Sequence, residues 1–321
     1  MGTKQIKRIL VTGSAGQIGS ELVPYLRKKY GGDNVVAGIN RTKPPAFFYE
    51  TGPVVTVNIN DRKDLDAVIK DNNIDTIINL AAILSATGEK NPLMCWDVNM
   101  NGFYNVLECA REKQLARVVN PSSIAAFGPE TPRDNTPQET VLKPRTMYGV
   151  TKVAGELLGD YYFRKFGVDV RGLRYPGIIS SETPPGGGTT DYAVAIYYEA
   201  IKQKKYECFV REDTVLPMMY MPDALKAIVD LMEAPIEKLQ HHSDFNVGSM
   251  SFSAGQLAAE IKKHIPEFKV TYKPDFRQAI ADSWPKSLDD SAAKKEWGWK
   301  PSHNISSMTK DMIEKLSKRL V

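Results

Sequence analysis

RILVTGSAGQIGSEL, residues 8–22, sets a short apolar run directly against three glycines spaced three apart, and a helical pattern follows at once. Gly13 makes the turn out of the strand, Gly16 lets the backbone approach a pyrophosphate, and Gly19 permits tight packing of helix on strand. The first helical turn, with Gln17 and Ile18, leaves backbone N–H groups free for an anion. In this strand-to-helix setting the motif predicts a dinucleotide site. Pro24 falls inside the same helix and predicts a kink or an early irregularity.

Outward from that motif, further strands are predicted at Asn34 to Ile39, Val54 to Ile59, Thr76 to Leu80, Arg117 to Pro121 and Asp169 to Leu173. Between them Leu65, Val68 and Ile69 fall at helical spacing, as do Val98, Phe103, Val106, Leu107 and Ala110. Strands alternating with helices indicate an α/β fold, a Rossmann-type doubly wound parallel sheet. Residues 1–179 are expected to bind the dinucleotide, and residues 180–321 to form a smaller mixed part that mainly binds substrate, although strands can recur there. Helices are predicted at Asp191 to Lys202, Pro222 to Met232 and Ser253 to Ile265, and strands near Asp244 to Val247 and Phe268 to Tyr272. The loop Ser180 to Thr190 holds Pro184, Pro185 and three glycines at 186, 187 and 188, and reads as substrate-facing rather than as a linker. Met308, Met312, Ile313, Leu316 and Leu320 mark a last amphipathic helix whose role is core packing.

Bulk properties remove whole classes of function. With 42% hydrophobic and 25% charged residues, the 321-residue chain is neither disordered nor fibrous. No apolar run reaches the roughly 18 residues that a membrane-spanning helix needs, so a soluble protein with no membrane partner is expected. Met1 to Leu10 carry no signal core, so either no targeting segment exists or it was removed. The net charge of +4, from 42 basic and 38 acidic residues, is scattered and gives no reason to expect nucleic-acid binding. Cys95, Cys109 and Cys208 stand far apart, which excludes a disulfide framework and a zinc cluster and points to reduced thiols. His241 and His242 match no ligand spacing, and no metal is expected.

At the end of the second strand, a carboxylate would bind both ribose hydroxyls and repel a 2′-phosphate, but Asn40 and Arg41 stand there, leaving NADP open beside NAD. Asp61 follows the third strand and reads equally as an acceptor for the adenine amino group or as a helix cap. Leu80, Ala81 and Ala82 place small side chains beneath a cofactor, and Asn99 and Asn101 lie on the following helix. Tyr148 and Lys152 share one helix face at i and i+4. The ammonium is expected to stabilise phenolate, turning the tyrosine into a usable base. The strand ending Pro121-Ser122-Ser123 points its hydroxyls toward the same crevice, Ser123 for the substrate oxygen and Ser122 as a cap or second donor.

GSAGQIG, the YGVTK pair and the serine strand end resemble the extended short-chain dehydrogenases/reductases over essentially the whole chain. Within that group, NPSSIAAFGP (120–129), RYPGIISSETPPGGGTTDYAVAIYYEA (174–200) and IADSWPKSLDDSAAKKEWGWKP (280–301) resemble the short-chain type of L-threonine 3-dehydrogenase. The resemblance implies NAD as cofactor, with Ile178 also against it, and oxidation of L-threonine at C3 to 2-amino-3-ketobutyrate. It implies Tyr148 as general base, Lys152 as its partner and contact to the nicotinamide ribose, and Ser123 as the catalytic hydroxyl. Substrate contacts are implied at Ser85, Gly187, Gly188, Thr189, Thr190 and Trp284. The chain departs from the pattern at Asn40, where many relatives carry aspartate. A homodimer through the helices Val98 to Ala110 and Tyr148 to Phe166 is implied, located in the mitochondrial matrix of a eukaryote after leader removal, or in the cytoplasm of a bacterium. Two alternatives stand beside this reading. A sugar-nucleotide epimerase or dehydratase needs basic residues for a diphosphate, for which Arg211 and Arg277 are candidates, and a non-catalytic dinucleotide sensor would have no use for the Tyr–Lys–Ser set.

Overall fold

Ile9, Leu10 and Val11 alternate between opposite faces of a strand, yet all three are buried, as in a parallel sheet covered on both sides. The computed structural model describes residues 2–186 and 188–320. Its strands begin with β1 (Ile9–Thr12), β2 (Val35–Ile39), β3 (Val54–Thr56), β4 (Thr76–Asn79), β5 (Arg117–Val119), β6 (Ser122–Ser123) and β7 (Val170–Arg171). Six of these make one parallel sheet in the order β3-β2-β1-β4-β5-β7. The order reverses between β1 and β4, and a ligand crevice opens beyond the carboxyl ends of the strands at such a point.

The two faces are packed by alternate residues. Leu10, Val36, Ile77 and Val118 meet Leu65, Val68, Phe103 and Val106 from the helices Arg62–Asp71 and Phe103–Glu112. Ile9, Val11, Ile78 and Val119 meet Leu22 and Leu26 of the helix Gln17–Tyr30, and also Ala224, Ile228 and Leu231 of the helix Met221–Glu233. Residues beyond 180 thus complete one face of the first sheet. The end of the helix Met221–Glu233 is fastened there by two buried arginines. Arg117 and Arg171 each pair with Asp169 at 2.8 Å, and Arg171 Nη1 donates to the carbonyls of Leu231 and Ala234 at 2.7 and 2.6 Å. The helix Gln17–Tyr30 runs unbroken through Pro24, so the irregularity expected of the proline does not end it.

The predicted strand Asp169 to Leu173 is two strands. Gly172 divides β7 from β8 (Leu173–Tyr175), and a Cβ at Gly172 would lie 2.5 Å from the carbonyl of Ser243 and 2.7 Å from that of Asn120. Two backbones press so closely there that the ladder changes partner: β8 pairs with β6 and with a later strand. The later strands are β9 (Gly177–Ile179), β10 (Lys205–Cys208), β11 (Val215–Tyr220), β12 (Phe245–Asn246), β13 (Met250–Ser253) and β14 (Lys269–Tyr272). They form three small sheets, β6-β8-β12, β9-β11-β13 and β10-β14. Strand β11 escapes the sequence pattern because Pro217 interrupts its apolar run, and proline ordinarily argues against a paired strand. A second core joins Tyr197, Leu257 and Ile261 to Met308, Met312 and Leu316 of the helix Ile305–Leu320. The cysteines are buried and unpaired.

Candidate active site

Gly13 carries φ +65°, and a Cβ on it would stand 2.7 Å from the Ala81 nitrogen and the Leu80 carbonyl carbon. A Cβ on Gly19 would stand 2.5 Å from the Gly13 oxygen. The loop is therefore pressed onto the end of β4, and the helix Gln17–Tyr30 starts at Gly16 without a side-chain cap, so its first-turn N–H groups remain for an anion. Gly13, Gly16, Gln17 and Ile18 line one cleft with Leu80, Ala81 and Ala82. Ile178 and Asn99 line it too. Asn99 accepts from Ile83 N at 2.8 Å and donates to Ile83 O at 3.1 Å and Thr151 Oγ1 at 3.0 Å, tying the segment after β4 to the helix Met147–Phe166. These features fit a bound dinucleotide.

Asn40, Arg41 and Asp61, the rest of the predicted cofactor set, follow β2 and β3 and stand outside the lining of this cleft. Asn40 and Arg41 are exposed just past β2 and are not among the cleft-lining residues. Asp61 caps the helix Arg62–Asp71, accepting from Lys63 N at 2.9 Å and Asp64 N at 3.3 Å, so its structural role is the cap. Asn101 donates to Asp97 at 2.9 Å.

The helix Met147–Phe166 is started by Thr146, whose hydroxyl accepts from Gly149 N at 3.1 Å, and is ended by Gly167 in the left-handed conformation. Its first turns carry Tyr148 and Lys152 into the cleft beside Ser123. Lys152 Nζ donates to the Pro121 carbonyl at 2.7 Å and lies 5.4 Å from the centre of the Tyr148 ring. Ser123 Oγ accepts from Ala125 N at 3.2 Å, which leaves its own proton for an oxygen in the cleft. In contrast to the expected depression, burial pushes the Tyr148 phenol up to about 12, partly offset by the Ser123 hydroxyl. Burial likewise pushes the Lys152 ammonium down to about 8, opposed by the Glu156 carboxylate. Desolvation is the largest influence on both groups in the protein alone. Ser122 is not a second donor to the cleft: its hydroxyl donates to Glu156.

Ser85, Gly188, Thr189, Thr190 and Trp284 line the same cleft; the predicted contact at Gly187 lies outside the described residues. Trp284 is 5% exposed and is held through its carbonyl, which accepts from Arg133 Nε at 2.9 Å. The Thr189 hydroxyl is buried and has no partner among the described residues, and Thr189 lines the cleft, so a polar group bound there would satisfy it. Sequence reasoning missed Asp191, whose carboxylate accepts from Gly186 N and Gly188 N at 2.6 and 2.8 Å and so pins the glycine loop. An acidic residue just before an apolar helical run was the available signal, but it reads as a cap. Also missed was the chain Thr12 to Asn79 to Asn120, linked at 2.7 and 2.9 Å across the ends of β1, β4 and β5.

Arg211 and Arg277, the residues a diphosphate would need, are engaged elsewhere. Arg211 pairs with Asp282 at 2.8 Å, Arg277 pairs with Asp275 at 2.6 Å, and neither lines the cleft.

Comparison with known proteins agrees with this geometry. The X-ray structure of an L-threonine dehydrogenase from Clostridium difficile is 54% identical, covering 98% of this chain and 99% of that one with a TM-score of 0.96. A monomeric L-threonine 3-dehydrogenase from a metagenome, in its apo form, is 50% identical over 97% of this chain and 99% of its own, with a TM-score of 0.93. An uncharacterized epimerase/dehydratase of Staphylococcus haemolyticus is 48% identical over 315 residues, 98% of this chain and 99% of its own. The sequence pattern of one family matches residues 9–248, a span that contains the glycine loop, the serine strand end and the Tyr–Lys helix. With that match and a cleft fitted to the cofactor, the chain belongs to the NAD dependent epimerase/dehydratase family.

Proposed function

We propose that this enzyme oxidises L-threonine at C3 to 2-amino-3-ketobutyrate, with residues 1–179 binding NAD and residues 180–321 mainly closing the substrate end. The observation that carries the reading is the shape of that end. Gly188, Thr189 and Trp284 wall it in beside Ser123 and Tyr148, with one unpaired hydroxyl and, among the described residues, no arginine in the lining, which fits a small polar substrate better than a nucleotide sugar. NAD, when bound, supplies the hydride acceptor and a cationic ring that favours phenolate nearby. Tyr148 takes the proton of the substrate hydroxyl, Ser123 donates to the same oxygen, and Lys152 holds positive charge against the phenolate. Incubation with NAD and a panel of hydroxy amino acids and UDP-sugars tests this by reduced-cofactor absorbance. Turnover of a UDP-sugar in place of L-threonine overturns it. In the same assay Trp284→Ala raises KM for threonine about 10-fold, the scale of a lost apolar wall, with NAD affinity as in the parent.

Asn40 and Arg41 make cofactor discrimination shallow in this reading. Asn40→Asp is expected to widen the preference for NAD over NADP on the order of 10-fold, about 1.4 kcal/mol of repulsion against a 2′-phosphate. Ratios of kcat/KM for both cofactors check it, and a parent that prefers NADP removes its premise.

A homodimer is the second part of the proposal. Leu157, Tyr161 and Phe166 on the helix Met147–Phe166 are exposed together with Tyr104 on the helix Phe103–Glu112, Leu157 to 65%. An apolar face of this kind marks an interaction surface. Light scattering at micromolar concentration is expected to give twice the chain mass and, for Leu157→Lys with Tyr161→Lys, the single mass. A monomeric parent, as the metagenome relative is described, refutes it. No helix among the described residues is long and apolar enough to cross a membrane; the Staphylococcus relatives are bacterial, and a bacterial source would place the enzyme in the cytoplasm.

A further inference from the structure

Three consecutive residues of the serine strand end are each met by a different side chain of the helix Met147–Phe166. Lys152 holds the Pro121 carbonyl at 2.7 Å, Glu156 accepts from the Ser122 hydroxyl, and Tyr148 faces Ser123. Tyr148, Lys152 and Glu156 recur every four residues and so lie along one helix face. The strand end they grip is short: β6 has two residues, paired with Arg174 and Tyr175 of β8.

Arg174 locks the arrangement from the other side. Its Nε and Nη2 reach the two Glu156 oxygens at 3.0 and 2.8 Å, and its Nη1 donates to the Gln138 carbonyl and Asn246 Oδ1 at 3.0 and 3.1 Å. Asp244 lies 3.5 Å away, and the guanidinium sits 5.1 Å from the centre of the Phe127 ring. Arg174 is 2% exposed and Glu156 is 6% exposed. A buried pair of this kind adds little net stability, because desolvation offsets most of the attraction, but its fixed fork geometry can specify an arrangement.

We infer that Glu156, clamped by Arg174, is a positioning residue: it sets the register of the serine strand end against the helix and thereby the separation of the Ser123 hydroxyl from the Tyr148 phenol. This rests on the reading of Tyr148 and Ser123 as the proton-transfer pair. Glu156 is not among the residues that line the cleft; it acts through Ser122. With Pro121 fixed by Lys152 and the next side chain fixed by Glu156, the peptide leading into Ser123 has a single orientation. A misplacement of about 1 Å at a reacting group costs up to about 100-fold.

Two variants separate positioning from stability. Ser122→Ala breaks the contact to Glu156 and leaves every charge in place. Glu156→Leu with Arg174→Met replaces the buried pair by apolar side chains, a change that is often neutral or stabilising. Both are expected to bind NAD within about threefold of the parent and to lose about 10- to 100-fold in kcat. In crystal structures of their NAD complexes the oxygen of Ser123 should move relative to that of Tyr148 by about 0.5 Å or more, the tolerance of a preorganised site. A parent-like separation in Ser122→Ala overturns the inference whatever the rate, and that variant decides alone if the double variant does not fold. The separation is read without substrate, so failure of the threonine reading shows separately, as a parent that does not reduce NAD with threonine.

Discussion

Replacement of Tyr148 by phenylalanine abolishes NADH formation from L-threonine, by about 1000-fold or more, while NAD binds with the affinity of the parent. The substitution removes one oxygen and keeps the ring beside Lys152, 5.4 Å from its ammonium, so what is lost is proton transfer alone. The proton must go to phenolate, and in the protein alone burial holds the phenol at about 12. The parent's kcat/KM therefore climbs with pH as phenolate becomes populated, and the climb ends where Lys152, lowered to about 8 by burial, gives up the charge that supports it. The phenylalanine variant has no such rising limb. A variant that keeps the parent rate removes Tyr148 from the mechanism.

Gly13→Ala is the second large effect, and it falls on the cofactor instead. The left-handed backbone at φ +65° costs an alanine about 1 kcal/mol or more, and the added carbon would meet backbone atoms of Leu80 and Ala81 at 2.7 Å. Neither neighbour is a flexible side chain, so the turn itself must move, and the phosphate cradle with it. NAD affinity is expected to fall by about 100-fold or more, read as Kd by titration calorimetry. Gly16→Ala provides the contrast: its carbon would stand 3.2 Å from the Gly13 oxygen, and a smaller loss follows. Equal, small losses in both would show that the loop tolerates a side chain and that the cradle is not made by close approach.

The parallel sheet and the cofactor loop were legible because their signals are local. Buried runs such as Ile9–Thr12 need no distant information, and the glycines of residues 13–19 report their own backbone constraints. Tyr148, Lys152 and Ser123 were legible for the same reason, since helix period and strand end fix where they point. What was not legible depends on partners far away in sequence. Gly172 splits a strand because Ser243 and Asn120 press on it, Pro217 hides β11 although Ser251 pairs opposite it, and Asp191 turns back to Gly186 and Gly188 in place of capping its helix. The Tyr148 phenol went the other way because its ionisation depends on burial more than on the spacing to Lys152, and spacing is all that a sequence displays.

The covering of the first sheet by Met221–Glu233 and Phe245 also dictates a timetable for synthesis. A ribosome that has released residues 1–179 has delivered all six main strands, but Ile9, Val11, Ile78 and Val119 still lack the side chains of Ala224, Ile228 and Phe245 that share their cluster. For the interval in which some 65 further residues emerge, about 3 to 13 seconds at ordinary elongation rates, the nascent chain has the helix Gln17–Tyr30, through Leu22 and Leu26, to cover part of that sheet face, and the rest of it stays open. Apolar surface left open in this way is what makes partly synthesised chains prone to aggregate and chaperones useful to them.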